Sequence, residues 1–251
     1  MRITISQPVL TGIKKPGKHL LFCNPASCNM TTLPTTLIQF PEIKLPVSAA
    51  HQLRGYFGNL FREKSPLLHN HYEDGRVMYR YPLVQYKVVD STPTLLGLAE
   101  GANLLVDLFL KINELRIGGI TYPVLHKHIQ AGQARVGVVP DELFAYEFKT
   151  LWMALNQKNH SAYLNLNDAE KSVFLSKSIL QANLLAFCSG IGHYEKNRIV
   201  AHAQLTEKKT KFKDQEMLAF AGGFVTNINL PDFAGIGKSV SRGFGTVRRK
   251  P

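Results

Sequence analysis

The order of apolar patterns along the chain restricts the fold more than any other feature of the sequence. The stretch TLIQFPEIKLPV, starting at Thr35, predicts a strand that Pro41 interrupts, and the residues after it predict a helix capped by Ser48. The apolar positions of that helix share one face, and they are Leu53, Tyr56, Phe57, Leu60 and Phe61.

The next segments complete one cycle of elements. RVMYRYPLVQYKVVD predicts one strand broken at Pro82 or two strands in sequence, and helical periodicity then runs from about Leu98 to Ile112. LRIGGITYPVLHKHIQAGQARVGVV returns to strand. The resulting order, β-α-β-β-α-β, is typical of a ferredoxin-like domain, in which two helices cover one face of an antiparallel sheet.

A second cycle follows. ELFAYEFKTLWMAL predicts a strand, and the longest helix then begins with a cap at Asp168 and ends near Gly190. Two alternating strands and a terminal GTVRR strand come after it. The sequence therefore predicts an α+β fold of two tandem ferredoxin-like halves, residues 35–140 and 141–251, after an irregular stretch at 1–34. A glycine-rich segment, 231–245, takes the place of the last helix.

Charge narrows the class of partner. Lysine and arginine number 30 against 18 acidic residues, for a net charge of +12 and a pI near 9.6. This excess favours an anionic partner, with nucleic acid ahead of a membrane surface.

No apolar run approaches about 20 residues and the first residues lack a secretory pattern, so we expect a cytoplasmic protein without membrane attachment. Cys23, Cys28 and Cys188 are expected to be reduced thiols because their spacing matches no disulfide or zinc framework.

The glycine-rich segment and the residues that follow it include the stretch FAGIGKSVSRGFGTVRRKP, which starts at Phe233. Its Gly-Lys-Ser triplet fits the end of a Walker A loop, but Asp232 stands where that loop needs its first glycine. A dinucleotide-binding fingerprint fails as well, because its third glycine is Val240 here. Two interpretations remain. The segment is a flexible hairpin, or its bare backbone and basic side chains bind phosphate groups.

At this point the sequence resembles a known family. GIGKSVSRGFGTV is similar to the glycine-rich loop of the Cas6 endoribonucleases, RAMP-superfamily proteins that process CRISPR precursor RNA. LRGYFGNLF, SPLLHNHYEDGRVMYRYPLVQYKVVD and WMALNQKN also resemble compact members from bacterial type III systems. The resemblance covers the chain from about residue 35, and it implies an RNA-binding loop made of Gly235, Gly237, Lys238, Ser239, Arg242, Gly243, Phe244, Gly245, Arg248 and Arg249.

The resemblance also implies a reaction, cleavage of RNA without a metal or other cofactor. The 2′-hydroxyl attacks the adjacent phosphorus, leaving a 2′,3′-cyclic phosphate and a 5′-hydroxyl. Such chemistry needs a base, an acid and a cation for the phosphate, and histidine titrates near neutrality at a pKa of about 6.5. The family places its histidine between the first helix and the next strand, so His69 and His71 are the catalytic candidates, with Arg76 as phosphate stabiliser. His51 and Arg54 are a second choice.

Other histidines and basic residues have simpler explanations. His126 and His128 share one face of a predicted strand, but we find no third ligand in the sequence for a zinc ion. His193 suits a helix terminus, and the run of Lys208, Lys209, Lys211 and Lys213 suits a solvated hairpin. Strand tyrosines such as Tyr86 complete a core more often than they stack on bases.

Two other function classes stay open. A non-cleaving RAMP subunit would hold guide RNA in an effector complex, and a metal-dependent nuclease would cut without using the 2′-hydroxyl. The partners that the resemblance implies are CRISPR repeat RNA or its processed product, and a type III effector complex or adaptation proteins. The sequence leaves open whether the chain is a monomer or a homodimer.

Overall fold

The computed structural model describes residues 29–61, 81–212 and 215–251. The first half contains β1 (Thr31–Gln39), a 3₁₀ turn (Val47–Ala49), α1 (Ala50–Leu60), β2 (Val84–Val89), β3 (Thr92–Leu98), α2 (Glu100–Phe109), the hairpin of β4 (Glu114–Ile117) and β5 (Ile120–Pro123), and β6 (His128–Val138). Its antiparallel sheet has the order β6-β1-β3-β2. This is the ferredoxin-like order, in which the fourth strand lies beside the first.

The second half repeats that order of elements, except that another segment replaces its second helix. Its elements are β7 (Phe144–Phe148), α3 (Gln157–Leu164), a long helix (Asp168–Gly190), β8 (Ala201–Phe212), β9 (Gln215–Thr226), β10 (Ile228–Asn229), a 3₁₀ turn (Val240–Arg242) and β11 (Val247–Arg249). The sheet order is β11-β7-β9-β8, again antiparallel. The glycine-rich segment occupies the position of the second helix, as the sequence predicts, and the fold of two ferredoxin-like halves is confirmed.

Several predicted element ends are wrong. β1 begins at Thr31, so the last four residues of the stretch predicted to be irregular form strand. Ser48 lies inside the 3₁₀ turn and caps nothing, because α1 continues directly from that turn. The long helix is capped by Asn167, whose side chain accepts from the backbone N–H of Glu170 while Glu170 returns a bond, instead of by Asp168.

The long helix consists of α4 (Asp168–Val173), a π-helical turn (Phe174–Leu180) and α5 (Gln181–Gly190). It is 23 residues long with a mean hydropathy of 1.2 in its most apolar stretch, which by length and composition is enough to cross a membrane. The helix includes charged residues such as Asp168 and Glu170, so it is not a continuous apolar run, and the expected lack of membrane attachment stays a prediction. A core stripe explains the apolar composition equally well, and the buried positions include Leu175, Ile179, Leu180, Leu184 and Phe187.

The two halves share one core and one strand contact. Their buried apolar side chains form a single continuous cluster. β10 leaves the second half and pairs with the end of β6, joining Ile228 to Val138 and Asn229 to Gly137. The relative position of the halves is therefore set by packing and by backbone hydrogen bonds together.

A buried polar cluster adds a third connection between the halves. The Nε2 atom of His193 lies 3.0 Å from an oxygen of Glu195, and its Nδ1 atom lies 2.7 Å from the hydroxyl of Thr31 in β1. Glu195 also accepts from the backbone N–H groups of Val138, at the end of β6, and Asn197. Because an ionised carboxylate only accepts, Nε2 of His193 carries the proton toward Glu195.

We predict that Glu195→Gln lowers the free energy of unfolding by about 2 kcal/mol at pH 7. Burial raises the pKa of Glu195, but the hydrogen bonds from His193, Asn197 and Val138 outweigh it and hold the pKa below its ordinary value of 4.5. A lowered folded-state pKa stabilises the protein above the unfolded-state pKa, and this contribution disappears as the pH falls through the folded-state pKa. Urea unfolding between pH 7 and pH 3 should show that the free energies of unfolding of the wild type and of Glu195→Gln become equal in acid. The exposed Glu142→Gln variant is the control, and an equal loss at every pH would contradict the prediction.

Candidate functional site

The glycine-rich segment runs along the junction of the two halves. It leaves β10 at the first sheet and reaches β11 at the edge of the second. On the way, its 3₁₀ turn packs against α1 and β2 of the first half. The site predicted from the second half therefore includes surface from the first.

The four predicted glycines lie against the protein's own atoms. An added Cβ would come within 2.5 Å of Val240 at Gly235, 2.5 Å of Trp152 at Gly237 and 2.7 Å of Ala50 at Gly243. At Gly245 it would lie 1.9 Å from the carbonyl oxygen of Ile236. One interpretation of the sequence is that these bare positions bind a phosphate backbone. Close packing within the chain already requires them, so their glycine identity is no evidence for RNA contact.

Intramolecular hydrogen bonds also use part of the segment's backbone. The N–H of Gly235 donates to Oε1 of Gln85, and that of Gly245 donates to the carbonyl of Leu151. Lys238 and Gly243 donate to carbonyl groups as well. These four N–H groups are not available to a phosphate.

A different set of donors remains. The backbone N–H groups of Gly237, Ser239, Val240 and Ser241 have no hydrogen-bond acceptor among residues 29–61, 81–212 and 215–251. Ser239 has a left-handed backbone with φ of 55°, and the right-handed 3₁₀ turn follows it, an arrangement that directs successive N–H groups to one side. The buried indole Nε1 of Trp152, beside Gly237, also lacks an acceptor within the described ranges. These groups are the ones that suit an anion.

A buried hydrogen-bond network anchors the segment to β2. Gln85 donates to the hydroxyl of Tyr81, which donates to the carbonyl of Gly235, while Oε1 of Gln85 accepts from the N–H of Gly235. Nζ of Lys87 donates to the same Oε1 at 2.8 Å. Lys87 is fully buried, and this burial lowers its pKa to about 7. Residues of the first half thus hold both the backbone N–H and the carbonyl of Gly235.

The first turn of α1 brings the second-choice residues to this junction. Ala50 touches Gly243, and the next residue, His51, has an exposed ring whose Nδ1 lies 2.6 Å from the carbonyl of Ser48. A carbonyl only accepts, so Nδ1 carries the proton. In the neutral ring, the lone pair is then on Nε2, which can accept a proton from a substrate.

Two arginines belong to the elements that meet here, Arg54 to α1 and Arg242 to the 3₁₀ turn that packs against it. Burial lowers the pKa of Arg54, and the positive charge of Arg242 lowers it further. Arginine nevertheless stays protonated. Because both side chains are positive, they would stabilise an anion bound near them. The structure therefore joins Arg54 of the first half to Arg242 of the glycine-rich segment.

The leading catalytic candidates, His69, His71 and Arg76, lie outside the described residues and stay predictions. The described residues on either side of them are Phe61, which follows α1, and Tyr81, which bonds to Gly235. The two described residues that flank the candidates therefore belong to the same junction, since Phe61 follows the helix of His51 and Tyr81 contacts the glycine-rich segment.

The remaining predicted RNA contacts differ in accessibility. Lys238 is exposed, and Phe244 is half-buried. Arg248 and Arg249 are exposed on β11, where their guanidinium groups lie over Phe233 and Phe144 at 5.6 and 4.2 Å from the ring centroids. The backbone N–H of Arg249 donates to Asp232, and its side chain donates to Asn229. Arg249 is therefore the more restrained of the two.

Other predictions from the sequence can be placed. His126 pairs with Glu42 at 2.5 Å, His128 is exposed on β6, and His193 is buried in the cluster between the halves. In the described part of the chain, no three His, Cys, Asp or Glu residues come together as metal ligands. Tyr86 is completely buried beside Phe57, in the core.

Sequence analysis missed Gln85, Lys87 and Trp152. Gln85 and Lys87 alternate with apolar residues in VQYKVV, a pattern that normally places polar side chains in solvent. The glycine-rich segment covers that face, so all six residues are buried. No local signal identifies the covering segment, because it lies about 150 residues away in the chain.

Comparison with known proteins places these features in a family. The model described as the Cas6b N-terminal domain matches residues 31–135, and that of the Cas6b C-terminal domain matches residues 138–250. A curated protein from Methanocaldococcus jannaschii, described as uncharacterized, is 31% identical over 144 residues, which are 57% of this chain and 97% of that protein.

Two crystal structures are similar over 88% of this chain and all of the compared chain. A Cas6b structure matches with 33% identity and a TM-score of 0.83. A second, described as the CRISPR RNA processing endoribonuclease Cas6b, matches with 30% identity and a TM-score of 0.71. The family models match both halves, and both Cas6b structures are similar over most of the chain. The chain therefore belongs to the Cas6b family.

Proposed function

We propose that this protein is an endoribonuclease that cleaves CRISPR precursor RNA within its repeats. Membership of the Cas6b family supports the substrate, and the junction of α1 with the glycine-rich segment supports the chemistry. The observation that carries the proposal is the position of His51 and Arg54 at the start of α1, the helix against which the 3₁₀ turn of Arg242 packs.

The proposed reaction is an in-line transesterification. Nε2 of His51 removes the proton of the 2′-hydroxyl, whose oxygen forms a bond to the adjacent phosphorus. The bond from phosphorus to O5′ breaks, and a protonated histidine gives its proton to O5′. We assign this second role to His69 or His71. The products are a 2′,3′-cyclic phosphate and a 5′-hydroxyl, so that protons and bonds balance without water or a metal.

The charge that develops on the phosphate determines the other roles. The guanidinium groups of Arg54 and Arg242 are placed to stabilise the additional negative charge on the phosphate oxygens, and Arg76 is a further candidate. The N–H groups of Ser239, Val240 and Ser241, in the same turn as Arg242, would supply neutral donors. We propose that Lys238 and Arg248 bind phosphates farther along the strand.

The 2′-hydroxyl and EDTA separate this proposal from its two rivals. We expect cleavage of the host's repeat RNA to continue in EDTA and to stop when the nucleotide before the cut is 2′-deoxy, because the attacking oxygen is then missing. Single-turnover assays with excess protein measure both. A non-cleaving guide-binding subunit would retard the RNA without cutting it. A metal-dependent nuclease would lose activity in EDTA and tolerate the 2′-deoxy nucleotide.

A further inference from the structure

A surface cavity of about 600 Å³ lies between the outer face of α1 and the β4–β5 hairpin. Gln52, Tyr56 and Asn59 of α1 form one side, and Glu114 and Arg116 of β4 form the other. Its volume suits a small ligand or a part of a larger one. It shares a helix with His51, but none of its residues belongs to the cleavage site described above.

Gly55 lines this cavity and has no structural explanation within the described chain. It lies in the interior of α1 without a positive φ, where glycine is a poorer helix former than alanine. An added Cβ would meet nothing within 4 Å, whereas at Gly97 and Gly101 it would meet backbone atoms at 2.4 Å. The bare backbone at Gly55 thus leaves room for a group that lies directly on the helix.

The cavity wall suits an uncharged, hydrogen-bonding ring. Neither the Gln52 amide nor the Asn59 amide has a hydrogen-bond partner in the ranges that the structure describes, and each amide offers a donor and an acceptor. The charge of Arg116 is balanced by Glu114 at 2.6 Å. The Tyr56 hydroxyl donates to the Glu114 carbonyl, which fixes the aromatic ring in the wall. A neutral wall of this kind favours a base over a phosphate.

We propose that this cavity binds one unpaired base of the RNA, which lies on Gly55 with its edge against Gln52 and Asn59. Unpaired bases are recognised by stacking and by hydrogen bonds to their edges, and amide side chains match the donor and acceptor of adenine. Gly55 follows His51 by four residues, one helical turn of about 6 Å. The bound base therefore belongs to a nucleotide near the scissile phosphate. This inference rests on the proposed function for RNA as the ligand.

The test uses Gly55→Ala and a 12-nucleotide 2′-O-methyl oligoadenylate, which the proposed reaction cannot cut. Fluorescence anisotropy should show roughly a 5- to 100-fold loss of affinity, the range measured for a lost base contact. The affinity for an abasic oligomer of the same length should be the same for the variant and the wild type. The Tm of the variant should rise by about 1 to 4 °C, because alanine favours the helix.

Two further variants complete the design. Gly132→Ala changes an exposed glycine of β6 whose added Cβ also meets nothing within 4 Å, and it should leave affinity unchanged. Gln52→Ala with Asn59→Ala should reproduce the loss for oligoadenylate. Unchanged affinity of Gly55→Ala, an equal loss for the abasic oligomer or a lower Tm would overturn the inference. Binding is measured without cleavage, so a protein that fails to cut repeat RNA still gives a clear result here.

Discussion

His51→Ala should lower the single-turnover rate of repeat RNA cleavage by about 10²- to 10⁴-fold, the usual contribution of a positioned general base. The affinity for the RNA should change little, because the imidazole acts on one proton and the basic residues supply most of the binding energy. The physical reason is the hydrogen bond from Nδ1 to the carbonyl of Ser48, which leaves the lone pair on Nε2, in the helix against which the glycine-rich segment packs. Rates and dissociation constants are measured on the same uncut repeat.

The matched control is His202→Ala. His202 is exposed on β8, the edge of the second sheet opposite β11, so its removal should alter neither rate nor affinity. His69→Ala and His71→Ala belong in the same series, because one of them is expected to act as the acid and to lose rate far more than binding. A His51→Ala protein that cuts at the normal rate would contradict the base assignment. Normal rates in both His69→Ala and His71→Ala would exclude these two residues as the general acid.

Gly245→Ala should lower the free energy of unfolding by about 3 kcal/mol or more. Gly245 has φ of 64°, where a side chain costs about 1 to 2 kcal/mol. Its added Cβ would also lie 1.9 Å from the Ile236 carbonyl, and overpacking against backbone costs about 1 to 3 kcal/mol more. A fall in Tm of roughly 6 to 12 °C follows for a chain of this size, measurable by thermal unfolding.

Gly192→Ala separates the two contributions. Gly192 has a similar φ of 79°, but its added Cβ would meet nothing within 4 Å. The control should therefore show only the backbone cost, about 1 to 2 kcal/mol. Equal losses in the two variants would show that the contact with Ile236 contributes nothing. The glycine-rich segment would then not be held by the close packing described here.

The fold could be predicted because its determinants are local and repeated. Apolar periodicity in each segment depends on the side chains of that segment alone, and two cycles in the same order leave few arrangements of the sheets. Element ends were harder. Asn167, Asp168 and Ser48 are all good capping residues, and the choice among neighbouring caps depends on backbone geometry that residue identity does not settle.

The candidate site could be predicted only in part. Its glycines were found from their spacing, but the reason for them was not, because each packs against a residue whose position the spacing does not reveal. Gly243 meets Ala50, and Gly235 meets Gln85, which is 150 positions away. The sequence places His51 second to His69 and His71, because no local pattern shows that the glycine-rich segment packs against α1.

The sequence by itself determined the two ferredoxin-like halves, the missing last helix and a basic, glycine-rich segment in its place. Each of these depends on patterns that neighbouring residues create. Only the tertiary structure decided that the segment crosses to α1 and β2, buries Lys87 and brings Arg242 to Arg54. Such contacts arise because the segment must satisfy its packing and hydrogen bonds against whichever surface the shared core brings next to it, and no local pattern names that surface.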